Sequence, residues 1–265
     1  VLGGSTWDVA APQALGVFPA VARQIYRGDV KESDIVAVRN VHVPSLFAGK
    51  IGFDEKVVQG YDDKEIDGDK VPARALAAAR CVAAFSDTWK ETSAFDLTRY
   101  VKDGFLVSDT GQLRWKEGKG KTDGFFTMNT DGTKAVVGFA NGQECDLGDV
   151  TIKSGSRFAA IYVTAHGKDE TISSAKKLLV VAIARARNTG MEFSQTEDQL
   201  LNRGKEPVLL EAVKATITVR KRGNPKVILL DHDGNRTDKT LPVANGAFAI
   251  DGVRDQTPYY LIAFE

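Results

Sequence analysis

Along much of the chain apolar and polar residues alternate with a period of two, in short runs bounded by glycine, asparagine and aspartate. The densest such stretch spans residues 108–140. Gln112-Leu113-Arg114-Trp115 alternates polar and apolar, Gly124-Phe125-Phe126-Thr127-Met128 is rich in aromatics, and Lys134-Ala135-Val136-Val137-Gly138-Phe139 is β-branched at its centre. Asp109-Thr110-Gly111, a Gly/Lys-rich loop and Asp131-Gly132 separate them with turn chemistry. Three such strands bury too little surface to stand alone, so other segments must supply a second layer.

Strand patterns continue on both sides. Residues 35–43, 149–153, 157–165 and 208–210 read as strands, and 177–186 (KLLVVAIARA) reads as a long strand buried on both faces. In 215–219, Ala215, Ile217 and Val219 face a core while Thr216 and Thr218 face water. The last forty or so residues carry turn signals every 8–12 residues, as in a sandwich. Helical spacing is confined to the N-terminal part. Leu15, Phe18, Ala22 and Ile25 recur on one face, Pro19 suits a helix start and Gly28 a stop, which predicts a helix over 19–27. The Ala-rich run after Pro72 has high helix propensity, and Ser93-Ala94-Phe95-Asp96 resembles a capping box opening a short helix to residue 101. Residues 49–70 are acidic and aperiodic, a long loop or a boundary. The expected architecture is mainly β: β-sandwich domains with a short N-terminal helical segment. Its expected divisions are 1–34, a large sandwich region over 35–205 and a small C-terminal sandwich over 206–265.

Charge and composition narrow the partners. Lys+Arg and Asp+Glu are equal at 35 each, so no global field draws the chain to nucleic acid or an anionic membrane. No apolar run reaches the roughly 18 residues of a spanning helix. Both features predict a soluble protein with an uncharged or mixed-charge partner, no nucleic acid and no membrane. The chain begins at Val1 without a charged-then-apolar leader, which fits a processed or trimmed chain or a piece of something longer. Cys81 and Cys145 lack metal-type spacing and read as two unpaired thiols rather than a disulfide.

Motifs for chemistry are sparse. Gly120-Lys121-Thr122 ends like a phosphate loop, but Trp115 stands where the first glycine is required and no helix follows. Asp231-His232-Asp233-Gly234-Asn235 begins like a calcium loop, yet its twelfth position is Pro242 instead of glutamate, so a turn is the better reading. His42, His166 and His232 are scattered and fit no zinc or triad motif. No metal or other cofactor is expected. Arg220-Lys221-Arg222 is an isolated basic cluster at a strand end. Asn235-Arg236-Thr237 is an acceptor sequon of a length that recurs by chance. Aromatic side chains offer flat faces to sugar rings. Trp7 and Trp89 lie in polar or Gly-rich surroundings suited to exposure, whereas Trp115 shares a face with Leu113, which favours the core.

GVFPAVARQIYRGDVKESD (16–34), SDTGQLRW (108–115), GFFTMNTDGTKAVVGFANG (124–142), RFAAIYVTAHGK (157–168) and LLVVAIARARNTGM (178–191) resemble the C-terminal regions of secreted bacterial glycoside hydrolases. These are enzymes of the cellulase/β-galactosidase type, in which a TIM barrel is followed by β-sandwich domains. The resemblance implies that 1–34 is the tail of a barrel, with Trp7 at the carboxyl end of its last strand. The preceding βα units are absent from this sequence, so the family's two catalytic glutamates transfer to no residue here.

The resemblance therefore implies a secreted or periplasmic accessory region, non-catalytic by itself, that binds polysaccharide or oligosaccharide through Trp7, Trp89 and Trp115 or braces a catalytic barrel. The exposed helix face around Leu15, Phe18 and Ile25 would dock on the sandwich, on a catalytic TIM barrel or on a second copy of the chain. An alternative is a self-sufficient glycoside hydrolase with its carboxylates at Glu144 and Asp146 or in the acidic loop 62–69. A third is a structural or assembly module.

Overall fold

A computed structural model of the chain describes residues 11–49, 70–120 and 122–264. The described chain opens with two short helices, α1 (Pro12–Leu15) and α2 (Phe18–Arg27). It then divides into two compact units. Residues 11–30 and 116–264 belong to one and Lys31–Trp115 form the other. The boundaries expected from sequence lay at 34 and 205.

The 31–115 unit contains β1 (Val36–His42), helix α3 (Val43–Phe47), a 3-10 turn over Ala73–Ala77 and β2 (Arg80–Ser86). A second 3-10 turn over Leu97–Tyr100 precedes β3 (Val101–Lys102), β4 (Phe105–Val107) and β5 (Leu113–Lys116). β1 and β2 pair in parallel, Val36 beside Arg80 through His42 beside Ser86, while β3, β4 and β5 pair antiparallel. The Ala-rich run, expected as a helix, yields only the single 3-10 stretch. Parallel pairing needs an extended chain from Arg80 onward, and Ala75, Ala78 and Ala79 are buried within what remains. Tertiary pairing overrides propensity here. The expected capping box is likewise shorter: Asp96 is the cap, its Oδ1 accepting from the Thr98 amide (3.0 Å).

The larger unit is a sandwich. Its elements are β6 (Gly124–Asn129), β7 (Thr133–Phe139), β8 (Glu144–Asp146), β9 (Val150–Ser154), β10 (Ala159–Ala165), β11 (Lys177–Ile183), β12 (Ala186–Thr189), β13 (Glu192–Phe193), β14 (Leu200–Asn202), β15 (Lys205–Leu210), β16 (Lys214–Val219), β17 (Pro225–Leu230), β18 (Arg236–Leu241), β19 (Ala247–Asp251), the short helix α4 (Gly252–Asp255) and β20 (Tyr259–Phe264). Strands are hydrogen-bonded in the order β18-β17-β20-β11-β10-β7-β6, every pair antiparallel. A second antiparallel sheet runs β19-β16-β9-β8. Thus β16 pairs with β9, and β20 with β11, across residue 205. Two-stranded ribbons, β12–β15 and β13–β14, complete the described strands.

Three layers result. Register puts Val163, Val180 and Tyr260 on one face of the large sheet, all essentially inaccessible, and Ile152 and Ile217 of the second sheet are equally buried. On the opposite face, Leu179, Val181, Ile183, Ile228, Leu230 and Leu261 form a cluster closed by Ala20 of α2. Strand β11 is therefore buried on both faces, as its unbroken apolar run predicted.

Helix α2 ends as its sequence demands. Gly28 takes the left-handed conformation (φ 64°) that a C-terminal glycine permits, and its amide bonds back to Gln24 and Ile25. Of the docking places expected for the Leu15–Phe18–Ile25 face, the sandwich is not the one used. Val17, Ala20 and Gln24 meet the sheet, whereas Leu15, Phe18 and Ile25 stay exposed, Ile25 at 73% and its neighbour Tyr26 at 78%. Small Ala20 lets the helix approach closely, and the bulky residues are turned to the other side.

The helix is clamped at its C-terminal end by a buried ion pair. Arg27 and Asp29 have side chains only 5% and 4% accessible and meet at 2.7 Å. The Arg27 guanidinium also donates to the Ala165 carbonyl (2.6 Å), the Thr164 hydroxyl (2.6 Å) and the Thr133 hydroxyl (3.0 Å). A side chain on Gly132 would run into both members of the pair.

Candidate functional site

A cavity of about 390 Å³ opens between α2 and the outer face of the large sheet. Its walls come from segments far apart in sequence: Arg23 from α2, His166 just after β10, Lys177 at the start of β11, His232 in the β17–β18 turn and Arg236 at the start of β18. The side chains of Leu179, Leu230 and Leu261 line its apolar part, beside Tyr259. The Tyr259 hydroxyl donates to the Gly16 carbonyl (3.1 Å), which ties the β20 wall to the helical segment.

The turn that presents His232 is organised by Asp231. One of its carboxylate oxygens accepts from the amides of Asp233 (3.0 Å) and Asn235 (2.7 Å), and the other from the Asn235 side chain (3.0 Å). This is the turn expected of the sequence DHDGN, with its first aspartate spent on its own backbone. Those contacts hold the Asp231 carboxyl below its usual range.

Cations dominate the cavity wall. Arg23, Lys177 and Arg236 face a single carboxylate, Asp233. Among the described residues the side chains of Lys177 and Arg236 form no hydrogen bond or ion pair. Arg23 gives one Nη1–H to the Pro19 carbonyl (2.7 Å), and its Nε is buried with no partner. Burial, with Arg27 nearby, makes the charged form of Arg23 costlier than usual. His166 is pushed below the ordinary histidine range by burial first, then by Arg23 and Lys177. Both effects mark a place where positive charge accumulates, offset in part by Asp233 in the wall and by Glu170 near His166.

The three histidines thus part company. His166 and His232 share this cavity. His42, in the 31–115 unit, is engaged locally, its ring nitrogens at 2.6 Å from the Ser45 hydroxyl and 3.0 Å from the Asp87 carbonyl. Among the described residues no three His, Cys, Asp or Glu side chains converge as metal donors. Neither Cys81 nor Cys145 is in a disulfide.

Trp7 lies outside the described residues. Trp89 follows β2 and is 64% exposed. Trp115 sits in β5 opposite Leu106 and is half-buried.

The alternative catalytic carboxylates have ordinary surface surroundings. Asp146 receives both arms of the Arg220 guanidinium (2.7 and 3.1 Å) and the Gly148 amide (3.0 Å), which holds its pKa down. Glu144 lies 3.8 Å from Lys153. The acidic loop 62–69 lies outside the described residues. The phosphate-loop look-alike is also accounted for, because the Asp123 carboxylate takes up the amides of Lys119 (2.7 Å) and Gly120 (2.6 Å).

The cavity was missed from sequence because its residues come from α2, both ends of the β10–β11 connection, the β17–β18 hairpin and β20. His166 drew notice as one of three scattered histidines, His232, Asp233 and Gly234 as a turn and Arg236 within a sequon, and no spacing linked them. Comparison with protein-family models, with curated proteins and with solved structures finds no match for this chain.

Proposed function

We propose that the chain is a non-catalytic accessory region of a secreted glycoside hydrolase, one that holds polysaccharide or braces a catalytic barrel. The observation that carries the binding half is Trp89, an indole left 64% exposed in a unit where Phe47 and Phe85 are exposed as well. Sugar C–H faces stack on such rings, and aromatic platforms need no reorganisation to receive them. The exposed Leu15–Phe18–Ile25–Tyr26 side of α2 supports the bracing half, since an apolar stripe left open on a firmly seated helix suits a protein contact.

The carboxylates favour this reading over a self-sufficient hydrolase. A glycosidase acid is kept protonated by a raised pKa. Glu91, Asp96, Asp123, Asp146, Asp231 and Asp251 are all held down by hydrogen bonds or cations instead.

The test is a pull-down against a panel of insoluble polysaccharides, with reducing-sugar release followed in the same tubes. Retention without release is expected, falling at least about tenfold in Trp89→Ala, a loss of the size stacking contacts carry. Sugar release would overturn the non-catalytic reading, and retention unchanged in Trp89→Ala would remove Trp89 from it.

A further inference from the structure

The α2 cavity calls for its own explanation, because nothing in a bracing or stacking role uses it. Three cationic side chains, Arg23, Lys177 and Arg236, line it against one carboxylate, Asp233. Leu179, Leu230 and Leu261 give the cavity an apolar side that a fully hydrated ion would not fill. Its volume falls at the lower end of the ~300–1,000 Å³ typical of small-molecule sites.

We propose that this cavity binds a compact organic oxyanion of monosaccharide size, its charged group meeting Arg23, Lys177 and Arg236 and its apolar side lying on the three leucines. Guanidinium groups suit both carboxylate and phosphate, through paired N–H donors. An acidic sugar and a sugar phosphate therefore share the required chemistry. The site is distinct from the Trp89 surface and stands whether or not that surface binds polysaccharide.

Cation placement also explains why the cavity holds no metal-type donor set. His166 is opposed by Arg23, Lys177 and Arg236, with Glu170 as its compensating charge, so a second cation would enter against repulsion.

Titration calorimetry on the whole chain tests this, with glucuronate, glucose 6-phosphate, glucose and inorganic phosphate as probes. Saturable one-to-one binding of glucuronate or glucose 6-phosphate is expected, with no heat from glucose and weaker binding of inorganic phosphate. Whichever anionic sugar binds more tightly identifies the source of the oxyanion. Affinity should fall at least about tenfold in Arg236→Gln and in Lys177→Gln, and weaken with added salt. Both residues are exposed, so the variants should melt with the parent; Arg23→Gln adds a third reading from the helix side. Absence of saturable binding by either anionic sugar overturns the proposal. So does binding that survives both exposed substitutions, or inorganic phosphate binding as tightly as the sugars.

Discussion

At the scale of single residues, the charged and polar groups buried in the larger unit are the points where one substitution costs most. Removing Arg27 would take away the buried cation that Asp29 meets at 2.7 Å, while the Thr133 hydroxyl still donates to its carboxylate (2.7 Å). Breaking one side of a buried pair typically costs about 3–5 kcal/mol, whereas replacing both by apolar groups costs far less. Arg27→Met is expected to lose stability in that range by urea unfolding, and Arg27→Met combined with Asp29→Leu to regain much of it. A double variant no better than the single would show that the arginine's bonds to Ala165 and Thr164 matter more than the charge balance. Tyr260 gives a pH-dependent counterpart. Its hydroxyl lies 2.9 Å from an Asp255 carboxylate oxygen and 3.2 Å from the Thr257 carbonyl, at 1% exposure. Burial, then the Asp255 charge, pushes its pKa far above the ordinary value near 10. Above about pH 10 the unfolded chain therefore releases this proton while the native chain keeps it, so stability falls as pH rises. Tyr260→Phe should cost about 1–2 kcal/mol at neutral pH. That gap should shrink as pH climbs past 10, read from urea midpoints across pH 7–11. A constant gap would mean that Tyr260 does not drive the alkaline loss.

At the scale of elements, legibility followed burial. α2 could be read almost to its ends because Pro19 and Gly28 punctuate it, and the sides of β16 because Ala215, Ile217 and Val219 are buried while Lys214 and Thr216 are exposed. Where neither face of a strand is buried, no alternation is written into the sequence. Every residue of β15 is exposed, Val208 and Leu209 each at 52%, and its pairing with β12 slips at Asn188 and Thr189. That ribbon was therefore only glimpsed, as 208–210. Which face of α2 the sandwich would cover was left open for a related reason. Size and spacing singled out Leu15, Phe18 and Ile25, but close packing on β10 and β11 selected the small Ala20 and half-buried Val17. Periodicity reports that a helix has an apolar stripe, and it does not say which of two stripes the rest of the chain will cover. The cavity was less legible still, since it depends on strand order. β17 and β18 reach α2 only because β20 joins β17 to β11 in the sheet.

At the scale of the whole molecule, the two compact units differ in what they bury. The largest fully buried side chains, among them Tyr260, Ile152, Ile161, Leu178 and Ile217, all belong to the larger unit. Among the described residues, those buried and apolar in the 31–115 unit are Ala37, Val71, Ala75, Ala78, Ala79 and Val107, four of them alanines. Apolar burial contributes about 25 cal/mol per Å², and an alanine offers little area. The smaller unit should therefore yield first to denaturant, and the tryptophans allow it to be watched. Trp89 and Trp115 both lie in the 31–115 unit, so in Trp7→Phe fluorescence follows that unit alone. Far-UV circular dichroism follows mainly the strands of the larger one. The fluorescence midpoint in urea is expected below the dichroism midpoint, by about 1 M for each ~2 kcal/mol separating the units at a slope of ~2 kcal/mol/M. Coincident midpoints would instead mean one cooperative transition, in which the alanine-lined core is held by the larger unit's stability and not by its own.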